Sequence, residues 1–222
     1  MRKAIWLFLL WIGASGAVQG ATKSHVIAFG KWLSVNWFTD AGDKSMSLKI
    51  RPLYVDGQLK EYTLGQPHEI TERLFVVQRA FRMNDNLPGE AVAARWLWEP
   101  GGWLVVDRGS GRISAATLPE FDPLLSSASW YRDCVAYCGA SDDGKRLDLM
   151  VVQLGRRKPL LRKNFRDSES NDTRDPACPA PTWFRHPVRV EFDTGAGQRI
   201  SFSPRQRVLD FLDRETEEGS SE

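Results

Sequence analysis

The chain has 222 residues, of which 42% are hydrophobic and 26% charged, enough to build one domain of ordinary size around a real core. Its 30 Lys+Arg stand against 28 Asp+Glu, and setting aside Arg2 and Lys3 leaves 28 against 28. That balance excludes any argument from bulk charge for a nucleic-acid or acidic-substrate partner.

The chain opens with Arg2 and Lys3, an apolar run from Ala4 to Ala14, and the small residues SGAVQGA. A basic start, a short apolar core and a small-residue exit are the parts of a secretory signal peptide over residues 1–20. Val18 and Gly20 suit the positions before a cut, which makes Ala21 the expected mature N-terminus. The apolar run falls short of the roughly 20 residues a transmembrane helix needs, and no later segment is long and apolar enough to span a bilayer. The expected location is periplasmic or extracellular, with no membrane span after cleavage.

From there the chain alternates with a period of two. Met46, Leu48 and Ile50 interleave with Ser47, Lys49 and Arg51, a half-buried strand. Leu74-Phe75-Val76-Val77 reads as a strand covered on both sides before alternation resumes at Arg79, Phe81 and Arg82. Leu147, Leu149 and Val151 carry apolar neighbours at Met150 and Val152, the same two-sided pattern. Val188, Val190 and Phe192 alternate with Arg189 and Glu191. Hairpin signals separate these runs at Asp56-Gly57, Pro100-Gly101-Gly102, Gly109-Ser110-Gly111, Asp142-Asp143-Gly144, Gly155 and Gly195-Ala196-Gly197. Short strands joined by such turns predict an all-β fold over 21–203, an antiparallel sandwich-like or partial propeller-like set of sheets.

Two stretches break the rhythm. Residues 163–182 hold many charges and three Pro, and read as a long surface loop. After it, Ser203 and Gln206 have capping-box spacing, Pro204 suits a first helical position, and Val208, Leu209, Phe211 and Leu212 recur at helical spacing. The spacing predicts a short helix within 204–222 ending in a frayed tail, with a final strand as the alternative.

The segment Ser129–Lys163 resembles a family of uncharacterised exported bacterial proteins. The matching pieces are Trp130-Tyr131-Arg132-Asp133, Ala136-Tyr137-Cys138-Gly139, Ser141 to Lys145, and Gln153 to Pro159, with His25 to Trp32 near the start. Together they cover about a quarter of the chain, and the family carries an aromatic where this chain has Cys134. The resemblance implies a compact β domain and no known activity.

Candidate chemistry is sparse. There are three His and three Cys, with no H-x-x-x-H or C-x-x-C, so neither a metal nor a cofactor is expected. Cys134 and Cys138 fall on one predicted strand, about 13 Å apart, too far to bond to each other. Cys178 can reach one of them, and Cys138 with Cys178 is the expected disulfide. There is no G-x-S-x-G elbow. Asp40, Asp43, Asp107, Glu120, Asp122, Asp133, Asp142, Asp143 and Asp148 offer carboxylates for a glycoside hydrolase, but no spacing pairs any two.

Aromatics give the strongest binding signal. Trp96 and Trp98 lie two apart on one strand face, with Trp103 across the PGG turn. They form either a flat ligand platform or part of a Trp-rich core. Trp130, Tyr131 and Asp133 complete the candidate ligand-binding set. The basic run Arg156-Arg157-Lys158, then Arg162, Lys163 and Arg166, reads as a contact for anionic envelope material or, more simply, as charges guarding an edge strand. The expectation is a non-enzymatic binding or structural module of the cell envelope, partnered by envelope polysaccharide or another envelope protein. The alternative is a carbohydrate-active hydrolase using paired carboxylates.

Overall fold

Alternation of apolar and polar side chains decides the architecture. A computed structural model describes residues 25–38, 45–90, 93–141, 146–167, 180–193 and 198–213, and there the chain forms fifteen antiparallel strands and no helix. The expected signal peptide and Cys178 lie outside the described residues.

The first sheet holds β1 (Ile27–Phe29), β2 (Leu33–Phe38), β3 (Ser45–Val55), β4 (Gln58–Glu69), β5 (Leu74–Asn84), β6 (Trp96–Asp107) and β7 (Arg112–Ala115). Its order is β1-β3-β4-β5-β6-β7, with β2 continuing β1's side of β3. Asp56 and Gly57 join β3 to β4 with both φ angles positive, as a tight two-residue hairpin turn requires. One face buries Leu53, Phe75, Val77, Leu104 and Val106 under Ile27, Phe29 and Ile113. The other buries Ile50, Leu64 and Ala80 against Tyr62 and Trp98.

Pro100-Gly101-Gly102 does not make the expected hairpin: β6 runs straight through it from Trp96 to Asp107. Opposite β5 the register shifts, so that Ala80 faces Pro100 while Gln78 faces Trp103. One extra residue on β6 is a bulge. A Cβ at Gly101 would lie 3.0 Å from the Phe81 ring, so glycine lets the backbone close, and Gln78 Nε2 donates to the Gly101 carbonyl at 3.2 Å. The bulge also turns Trp103 onto the face that Trp98 occupies. Five residues of unbroken strand would have put them on opposite faces.

The second sheet is a meander of β8 (Ser129–Tyr131), β9 (Cys134–Ala140), β10 (Arg146–Gln153) and β11 (Leu161–Asp167). The third repeats the plan with β12 (Thr182–Arg185), β13 (Val188–Asp193), β14 (Gln198–Ser203) and β15 (Val208–Asp213). They pack as a sandwich: Ala136, Cys138, Leu149 and Val151 of one bury against Val190, Phe192, Ile200 and Phe202 of the other. The opposite face of the second sheet puts Val135, Tyr137, Met150 and Val152 under Leu118, Phe121, Ala128 and Trp130. β10 is therefore buried on both sides, as its apolar run predicts. Each fully buried large apolar side chain contributes about 1.5–3 kcal/mol relative to exposure.

Two further expectations are corrected. The predicted loop over 163–182 is strand as far as Asp167, and β12 begins at Thr182; residues 168–179 lie outside the described residues. β11 is an edge strand, and the charges at Arg162 and Lys163 that protect such an edge hide its pattern. The predicted C-terminal helix is instead a turn over 204–207 followed by β15. Ser203 accepts through its carbonyl from Arg207 N at 2.7 Å, closing that turn. Pairing with β14 and packing of Leu209 on the core outweigh a local helical spacing. Residues 214–222 lie outside the described residues.

Candidate functional site

In an up-and-down meander alternate turns emerge at the same end. In the second sheet these are the two-residue turn Arg132-Asp133 between β8 and β9, and the connection from Leu154 to Leu160 between β10 and β11. In the third they are His186-Pro187, with Arg185 beside it, and Pro204-Arg205-Gln206-Arg207. Every one of these turns carries or adjoins an arginine.

The sheets bring them together around three adjoining depressions. The first, about 950 Å³, runs between the first and second sheets along Ile70, Leu74, Val105 and Leu154, with Arg132, Arg156 and Arg157 on its wall. The second, about 350 Å³, lies between the second and third sheets, lined by Tyr131, Cys134, Gln153, Trp183, Arg156, Arg205 and Arg207. The third, about 670 Å³, adds His68, Glu69, Arg185 and His186. Arg132 borders all three.

Several contacts hold this junction in place. Trp183 Nε1 donates to the Ser129 carbonyl at 3.0 Å and its indole stacks on Tyr131, centroids 5.4 Å apart. His68 Nε2 donates to the Arg132 carbonyl at 2.9 Å, and its ring stacks on Trp130. Trp130 in turn packs on Trp103 at 5.3 Å, tying the first sheet to the second. Leu154 N donates to the Asp133 carbonyl at 2.9 Å.

Charge at the cleft is one-sided. Among the described residues Arg132, Arg156, Arg157, Arg185, Arg205 and Arg207 make no ion pair. The two carboxylates in the lining are already engaged. Glu69 takes a two-pronged bond from Arg108 at 2.7 and 2.8 Å, which holds its carboxyl below the usual range. Asp133 accepts from Gln153 Nε2 at 2.7 Å and lies 3.7 Å from Cys134 Sγ. Burial first, and then the Asp133 charge, push the Cys134 thiol up to about 11. This is an anion-attracting surface with aromatic walls.

The sequence-predicted residues divide. Tyr131 and Asp133 line the cleft. Trp130 and Trp103 stand behind it as the inter-sheet contact, where neither indole N–H has a partner among the described residues. Trp96 and Trp98 are not part of the lining. Trp96 is 53% exposed with Arg82 beside it, while Trp98 packs edge-on against Tyr62 at 4.8 Å. The three tryptophans thus share a face without forming one platform.

Of the candidate carboxylates, Asp107 bonds Arg73 at 2.6 Å and Asp122 caps its own turn through Leu124 N. Glu120 and Asp148 share the guanidinium of Arg162, which β11 presents at 2.6 and 2.8 Å. Asp40, Asp43, Asp142 and Asp143 lie outside the described residues. Cys138 is disulfide-bonded and Cys134 is free. No group of three metal-ligating side chains occurs among the described residues. The chain matches no protein-family model and no curated protein.

Sequence reasoning missed Arg132, Arg185, Arg205, Arg207, His68, His186 and Trp183. A signal was present, since arginines recur in or beside every second turn of the two meanders.

Proposed function

We propose that this chain is a non-enzymatic binding module, exported to the cell envelope, whose cleft takes an anionic ligand. One observation carries the reading: six guanidinium groups without a carboxylate partner among the described residues border adjoining depressions, against a single lining carboxylate outside an ion pair. Unpaired arginines repel one another, so such a grouping costs stability unless a ligand's negative charge completes it. Arginine's planar fork suits carboxylate and phosphate oxygens. A hydrolase would need two carboxylates free to face one bond, and those lining the cleft are engaged by Arg108 and Gln153. The export signal and the resemblance to exported bacterial proteins support the envelope location.

The test is calorimetric titration of the full chain with inorganic phosphate and with a sulfated oligosaccharide, repeated on Arg132→Gln with Arg205→Gln. Binding should fall on the order of a hundredfold in the double variant, with stability changed by less than about 0.5 kcal/mol. Equal binding by variant and parent would sink the proposal.

A further inference from the structure

The largest of these three depressions is not built like a site for a bare anion. Its volume, about 950 Å³, is at the upper end of the roughly 300–1,000 Å³ that small-molecule sites occupy, and an inorganic anion would leave most of it unfilled. Its floor is apolar. Leu74 and Val105 belong to the sheet face that also carries Val76 and Trp103, since β5 and β6 pair Val76 with Val105 and Gln78 with Trp103. Toward the junction that face is covered, with Val76 fully buried and Trp103 under Trp130. Further along, Leu74, Val105, Ile70 and Leu154 are only half-buried, and no described residue closes over them. Apolar surface left open between two sheets, with three guanidinium groups at its edge that make no ion pair among the described residues, matches a molecule with one charged and one greasy end.

We infer that the ligand is an anionic amphiphile, its head held by Arg132, Arg156 and Arg157 and its alkyl portion laid along Ile70, Leu74 and Val105. This rests on the anion-binding reading above and specifies the rest of the ligand. Charge complementarity selects the head, and the apolar floor selects the tail. Ser114, directly opposite Val105 on the edge strand β7, is exposed and borders the same groove, so a large side chain there obstructs the tail and spares the head.

The probes are inorganic phosphate and the octyl, decyl and dodecyl phosphates, each below its micelle-forming concentration, with a sulfated oligosaccharide as the tail-less polyanion. Calorimetry on the full chain should show affinity rising up to about fourfold per methylene, with a heat-capacity change that becomes more negative as the tail lengthens. Ser114→Trp should flatten the dependence on tail length while leaving inorganic phosphate binding unchanged. Arg132→Gln with Arg156→Gln should weaken every probe alike.

Affinity indifferent to tail length in the parent chain overturns the amphiphile and leaves the anion site standing. Tightest binding by the sulfated oligosaccharide does the same and assigns a polysaccharide. A dimer of the parent chain that Ser114→Trp dissociates gives the groove to a second copy. Absence of binding by every probe removes the anion site itself, a result distinct from the other three.

Discussion

Arginine plays opposite parts in two regions of this molecule. On the first sheet Arg73, Arg79, Arg95 and Arg108 each lie against a carboxylate, respectively Asp107, Glu61, Asp85 and Glu69. Around the turn end of the second and third sheets six arginines have none among the described residues. A paired guanidinium on a surface spends its field on its neighbour and adds little to stability. An unpaired one at a concave surface, where low-dielectric walls focus the field, keeps it for whatever enters. Net charge sums both kinds, so a nearly balanced composition conceals a charged cleft.

The comparison breaks if the cleft is made to resemble the first sheet. Arg205→Glu supplies Arg132 and Arg207 with an internal carboxylate. Anion affinity should then fall by at least about a hundredfold, since one contact is lost and a repulsive one is added. Stability should hold or rise by up to about 0.5 kcal/mol as self-repulsion is relieved. Urea unfolding beside the titrations reads both. A marked loss of stability would mean that Arg205 was already satisfied, and the contrast between the two regions would collapse.

Arg108→Gln tests the paired side. Its bond to Glu69 is the main reason that carboxyl titrates below its ordinary value of 4.5. A lowered folded-state pKa contributes stability above the unfolded value, and that contribution disappears as pH falls through the folded one. The parent chain should therefore lose this part progressively below about pH 5, while the variant lacks it throughout and shows a flatter acid limb. Both side chains are more than one-third exposed, so the difference at neutral pH should be only about 0.5 kcal/mol. Glu69 borders the cleft, and freeing its charge should also weaken anion binding a few-fold. Unchanged binding would show that the cleft does not feel Glu69.

Period-two patterning made most strands legible because sheet burial writes itself directly into alternate residues. It failed where something else held the pattern. Charges on the edge strand β11 made Lys163 to Asp167 look like loop, and a bulge at Gly101 looked like a turn because glycine serves both. β15 followed helical spacing locally and was drawn into the sheet by its pairing with β14. At the site, Tyr131 and Asp133 stood out through an aromatic-acidic cluster. Arg185 and Arg205, far apart along the chain, acquire meaning only once two meanders align their turns. Asp107 and Asp148 appeared available for catalysis because sequence does not reveal that Arg73 and Arg162 hold them.

The smallest expected effect offers the most local reading of the cleft, because Cys134 is a free thiol within it. Burial and the Asp133 carboxylate raise its pKa, while the unpaired Arg156 pulls it down by less. Native-state alkylation by iodoacetamide should therefore be slow at neutral pH and climb toward a midpoint near 11. Asp133→Asn should lower that midpoint yet leave it above the ordinary thiol value, since burial is the larger cause. Arg156→Gln should raise it slightly, slowing the reaction at pH 9 by about twofold. A bound anion next to Arg156 should act in the same direction by cancelling its charge. A midpoint near 9 in the parent chain, unmoved by either substitution, would place the thiol in open solvent and remove both Asp133 and Arg156 from its surroundings.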